Sequence, residues 1–182
     1  YSHHAVIGHN LKTRARENFI AYNRIMDEVD GTSSYAIDIP DAGTSWIIGN
    51  LLQQGPNTDN STMVAYAAES TSNPGRDLSV VNNTLVNDRG SGTFVRNNGP
   101  TAAVVRNNIF AGGGTAVSGP SDMLGNLETS VPGLVDLANF DYRLADGSPA
   151  INTGVDPGTG GGRSLLPEFH YVHRTASASR VS

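Results

Sequence analysis

The phrase DLSVVNNTLVN, residues 77–87, constrains the fold most, because it recurs along the chain. It reads as a short strand over Leu78–Val81, a corner at Asn82 and Asn83, and an apolar residue at Leu85. Counted from an Asn, apolar residues stand three before and two after at four places. They are Ile20 and Ile25 around Asn23, Ile47 and Leu52 around Asn50, Val80 and Leu85 around Asn83, and Val105 and Phe110 around Asn108. A fifth copy at Asn126 keeps Met123 but has Glu128. Successive Asn residues are 27, 33, 25 and 18 residues apart. A drifting period of this size, built on strands, predicts a solenoid. Each coil lays its strands on the coil below at about 4.8 Å. Asn suits the corner because it tolerates left-handed backbone, and stacked carboxamides can hydrogen-bond from coil to coil. Asn by itself is only a common turn residue; the repeat rests on the fixed offsets.

Composition agrees with many short strands. Charged residues make up 16% of the 182 positions, Gly occurs 21 times, and long amphipathic helical patterns are absent. The length suffices for one domain with a core. A net charge of −5 gives no bulk electrostatic case for nucleic acid. The lack of Cys excludes disulfides, thiolate metal sites and a Cys nucleophile, and no apolar run is long enough for a membrane helix. No signal peptide is visible in the chain.

Each corner is followed by a second strand, near residues 38, 66, 95 and 117, and the segment around Lys12 holds the same place one coil earlier. Lys12 is the only lysine and alternates with Arg14 and Arg16. In a strand these three share a face and form a basic row. The corner of that first coil would fall before Tyr1, so the coil is expected to be incomplete. Its bare strand edge predicts upstream coils or a homo-oligomer covering that end. Residues 1–126 are read as coils, 127–158 as a closing coil or cap, and 159–182 as an extended tail. In the tail, TGGGR is expected to be a flexible spacer, Leu165, Leu166, Phe169, Tyr171 and Val172 are candidate anchors, and the final TASASRVS is expected to be disordered or nearly so.

The corner phrases, GHNLKTRARENFIAYNRI and the closing NFDYRLADGSPAINTG resemble right-handed parallel β-helix proteins of the pectate-lyase-like superfamily. LKT followed by YNRI and IIGN is similar to the chondroitinase B and alginate lyase group. The resemblance covers residues 5–172. It implies an all-β, single-stranded right-handed parallel β-helix, of about five coils on the repeat count, with an irregular C-terminal extension. It also implies a secreted or periplasmic setting and an acidic polysaccharide as partner. That group carries a Lys base, an Arg acid in an Arg-His-Gly setting, and calcium held by Asn and acidic residues. Lys12 matches the base. The Arg-His-Gly place falls on Asp41-Ala42-Gly43, where only Gly43 matches, and the acidic metal motif would lie before or at Tyr1.

Eliminative cleavage of a uronate polymer needs a base, a cation for the developing charge and an acid for the leaving oxygen. Lys12 and Arg14 are the catalytic candidates, because neighbouring Arg residues would lower the proton affinity of the amine. Stacking the second strands places Asp38, Tyr66, Glu69 and Arg96 above them, and with Arg16 of the basic row these are the substrate-binding candidates. Read structurally, the same row is a solvated strand face paired with Asp38. Other readings have weaker patterns. His3, His4 and His9 could bind a metal with Asp27 or Asp30, and Asp27, Glu28 and Asp30 could hold calcium without EF-hand spacing. Asp38 and Asp41 could be a glycosidase pair without the expected flanking motifs. His170 and His173 read as surface residues of the tail, and Trp46 as either core or rim. No metal site is assigned. The remaining hypothesis is a non-catalytic polysaccharide-binding or structural β-helix, or an inactive fragment of a longer enzyme.

Overall fold

A computed structural model describes residues 1–172 and 176–179. Three parallel walls enclose one core. The first wall stacks Ser2–His3, Arg24–Met26, Leu51–Gln54, Thr84–Asn87, Ile109–Gly112 and Leu127–Thr129. The second stacks Leu11–Lys12, Ile37–Ile39, Thr62–Tyr66, Thr93–Asn97 and Thr115–Ser118. The third stacks Glu17–Ala21, Thr44–Ile48, Leu78–Val81, Ala103–Arg106 and Ser121–Leu124. The chain visits the walls in that order on every turn, so the architecture is a parallel β-helix of about five coils. Among the described residues no helix is long and apolar enough to cross a membrane.

The repeating phrase explains the core. The residues three before each Asn form one inward column, Ile20, Ile47, Val80 and Val105. The residues two after form another, Ile25, Leu52, Leu85 and Phe110. The second wall adds Leu11, Ile37, Val64, Val95 and Val117. All belong to or pack on one apolar cluster, and each fully buried Leu or Val contributes about 1.5–3 kcal/mol.

The corner Asn residues form a continuous ladder. Asn50 Oδ1 accepts from the backbone N–H and the Nδ2 amide of Asn23, at 2.9 and 3.1 Å. The same double contact joins Asn50 to Asn83, Asn83 to Asn108, and Asn108 to Asn126. Each receiving Asn donates Nδ2 to the carbonyl of Ile20, Ile47, Val80 or Val105 on the preceding coil. Asn126 is therefore a full member despite Glu128 beside it. The left-handed residue is not the ladder Asn but the one before it: Tyr22, Gly49, Asn82, Asn107 and Gly125, with φ between 54° and 67°. The doubled Asn-Asn of two corners thus divides two tasks, bending the chain and bridging the coils.

The C-terminal extension runs along the outside of the first and third walls. Phe140, Tyr142 and Leu134 pack on Met26, Val86 and Ala111 of the first wall. Leu165 is fully buried against Trp46, Ile48 and Val81 of the third. Trp46 faces outward and donates Nε1–H to Gly160 O at 2.8 Å, under the Arg163 guanidinium. The glycine run is not a flexible spacer. Thr159–Gly160 pairs antiparallel with Arg163–Ser164, and the two central residues of the turn, Gly161 and Gly162, have φ of 55° and 79°. A side chain at Gly161 would meet the Trp46 ring at 2.8 Å, so the turn is a hairpin seated on an aromatic ring. Farther on, Phe169 packs edge-on against Tyr22, and Phe169–Val172 pairs with Ala176–Ser179, where disorder is expected from sequence. Leu166 is exposed rather than buried as an anchor would be. His170 lines a cleft beside Tyr142 and Tyr171, and His173 lies outside the described residues.

Candidate functional site

The second wall has the polar outer surface. Its outward column runs Lys12, Asp38, Ala65, Arg96 and Ser118, in register. No apolar cluster joins the extension to this wall among the described residues. The corresponding outward positions of the other walls are Met26, Val86 and Ala111, or Trp46, Ile48 and Val81, which need cover.

At the Lys12 end the side chains form one charged network. Lys12 Nζ is 2.7 Å from Asp38 Oδ2 and 3.1 Å from Glu69 Oε1. Arg14 spans Glu69 Oε2 and Asp41 Oδ2, both at 2.6 Å. Asp41 also accepts from Ser70 Oγ at 2.9 Å. His9 completes the group with Nε2 at 3.3 Å from Asp38 Oδ2. Its ring stacks on Tyr35, and its Nδ1 accepts from the Tyr35 N–H. That acceptor role leaves the proton of neutral His9 on Nε2, directed at Asp38. Asp38 is almost fully buried, and its Oδ1 has no hydrogen-bond partner among the described residues.

The electrostatics differ from the sequence expectation. Arg14 and Arg16 lie beyond the strand, which ends at Lys12, so the three cations are not one strand row. The hydrogen bond that Lys12 donates to Asp38 raises the pKa of Lys12 instead of lowering it. Hydrogen bonds from Arg14 hold the carboxyls of Asp41 and Glu69 below their ordinary range, and both raise Arg14 in return. Burial lowers His9, which is therefore neutral at neutral pH.

Of the residues expected in the column, Lys12, Arg14, Asp38 and Glu69 come together. Arg16 is exposed at the bend after them. Arg96 lies two coils along from Asp38, half-buried, and neither Arg makes an ion pair with a described carboxylate. Tyr66 does not face a ligand. It is fully buried in the core, its hydroxyl donates to Gly43 O at 2.9 Å, and burial pushes its pKa up to about 12. It pairs with Ile39, an inward position, whereas Ala65 holds the outward place. His9 and Asp41 belong to the network although the sequence suggests other uses for them. The signal for His9 lies in the coil offset, which sets it beside Tyr35 at a spacing of 26 residues.

A cleft of about 570 Å³ lies elsewhere, between the ladder corner and the extension, with Asn82, Asn107, Tyr142, Arg143 and Tyr171 in its lining. No family model, curated protein or solved structure matches the chain.

Proposed function

We propose that the protein binds an acidic polysaccharide along the outer face of the second wall without cleaving it. The observation that carries this reading is the contrast between the three walls. The first and third walls are apolar where the chain's own extension covers them; the second carries Lys12 on its first coil, Arg14 and Arg16 on the bend that follows, and Arg96 three coils along. The paired carboxylates and cations around Lys12 offer acceptors and donors to sugar hydroxyls. Arg16 and Arg96, without carboxylate partners, are the groups for a uronate or sulfate. A polymer of this kind fits the secreted or periplasmic setting expected from the sequence.

Elimination is the second reading, with Lys12 as base and Arg14 as its partner. It needs an amine that gives up its proton, and Asp38 favours the charged form. That observation favours binding over cleavage.

Electrophoresis through gels containing alginate, polygalacturonate or chondroitin sulfate tests the reading. Retarded migration is expected with at least one of them, weakened by added salt and by Arg96→Ala together with Arg16→Ala. Equal mobility in all gels, or retardation that ignores both substitutions, contradicts it. Ultraviolet absorbance from an unsaturated product, lost in Lys12→Ala, would replace binding by the lyase reading.

A further inference from the structure

We propose that His3, His4 and Glu28 form a site for a divalent transition-metal ion of the zinc class, with Asp30 orienting His4. The ligand-capable atoms of the three residues lie within 4.8 Å of one another. The site sits on the first wall and is independent of the polysaccharide reading.

Backbone geometry brings the groups together. His3 pairs in register with Met26, and the His4 N–H donates to Met26 O at 3.2 Å. Both imidazoles therefore lie beside the turn that follows Met26 on the next coil. Neighbouring residues of a strand point to opposite faces. At His4 a φ of 55° breaks that alternation, and the rings of His3 and His4 come within 4.7 Å. Glu28 has a left-handed φ of 58° as well. Such conformations are unfavourable for residues other than Gly and concentrate at functional sites.

The surroundings hold these groups in place. Fully buried Gln53 accepts from the N–H groups of Asp27 and Glu28 at 3.0 and 2.8 Å and donates to Glu28 O at 3.2 Å. Tyr1 stacks on His3 at 4.2 Å and donates its hydroxyl to Glu28. His4 Nε2 lies 2.9 Å from Asp30 Oδ1. A proton on Nε2 directed at Asp30 leaves the lone pair on Nδ1, and that atom faces His3 Nδ1 in direct contact. The two ring nitrogens thus converge on one point that the Glu28 carboxylate also reaches. A carboxylate behind a metal-binding imidazole is the usual means of fixing its tautomer.

The donor set sorts the candidate ions. Two imidazoles and one carboxylate suit zinc, copper or nickel, whereas calcium and magnesium prefer oxygen ligands alone. The structure also narrows the sequence expectation. His9 is engaged with Asp38, and Asp27 is buried, accepting from Asn10 and the Gly55 N–H. A metal held here would tie Ser2–His3 to the second coil, so its binding adds to folding stability.

Calorimetric titration of the full chain with zinc chloride at neutral pH, paired with thermal unfolding, tests the site. One zinc per chain is expected, with a rise in Tm of about 3 °C or more at saturation, and no rise with calcium. His3→Ala, His4→Ala and Glu28→Gln should weaken binding by more than about tenfold, and Asp30→Asn by about tenfold with the stoichiometry kept. His170→Ala should change nothing. X-ray absorption of the zinc-loaded protein should count two imidazoles, a readout independent of how the variants fold. Absence of saturable zinc binding, an equal response to calcium, or unchanged affinity in His4→Ala overturns the proposal.

Discussion

Asn83 shows how much one side chain carries. It is buried, its Oδ1 accepts twice from Asn50, and its Nδ2 donates to Ile47 O and to Asn108 Oδ1. Removing the amide strands buried polar groups on both neighbouring coils. Asn83→Ala should cost about 3–4 kcal/mol in urea unfolding, at about 1–3 kcal/mol per unpaired buried group. Asn23 is joined to a ladder Asn on one side only among the described residues and is half-buried, so Asn23→Ala should cost about 1 kcal/mol. Equal losses at the two positions would contradict the ladder. The charged cluster makes a prediction in pH. His9 has a folded pKa below its ordinary 6.5, so its share of stability is complete above that value and lost as pH falls through the folded pKa. Asp41 and Glu69 are also depressed, and their share is lost in acid. Lys12 is raised, and its share is lost only as pH rises through its folded pKa. The network should therefore be intact from about pH 6.5 to about pH 10. An NMR titration of His9 with a midpoint above 6.5 would contradict this.

Elements separate what was legible in the sequence from what was not. The inward columns were legible because the offsets of three before and two after the Asn are the positions that face the core on the third and first walls. The second wall has no corner Asn to set its phase. There a one-residue slip exchanges inside for outside, which is how Tyr66 came to be expected on the ligand face although Ala65 holds that place. The Lys12 cluster was half legible. Lys12 and Asp38 follow from stacking, but Glu69 and Asp41 arrive on turns whose path no local pattern dictates. In the extension the glycine turn is not legible locally, because its partner is far away in sequence. Glycines 161 and 162 look like a spacer until Trp46 lies beneath them. Consecutive apolar residues in Trp46-Ile47-Ile48 and Val80-Val81 were the available signal, since a strand apolar on both faces must be covered on both. Leu165→Ala should cost about 2–5 kcal/mol by opening a cavity over Trp46 and Ile48. A loss below about 1 kcal/mol in urea unfolding would mean that the strap adds little.

At the scale of the whole molecule, three walls meet three different fates. The first is covered around Tyr142, the third around Leu165, and the second presents the Lys12 network at one end and Arg96 three coils along. This division makes the second wall the proposed polymer track. It also makes the cleft beside Tyr142 and Arg143 the competing location. The most direct measurement is an amide NMR titration of the full chain with an acidic oligosaccharide that retards it in gels. Shifts are expected at Lys12, Arg14, Arg16, Glu69 and Arg96, with Trp46, Tyr142 and Arg143 unmoved. Shifts centred on Tyr142, Arg143 and Tyr171, with the second wall silent, would contradict it.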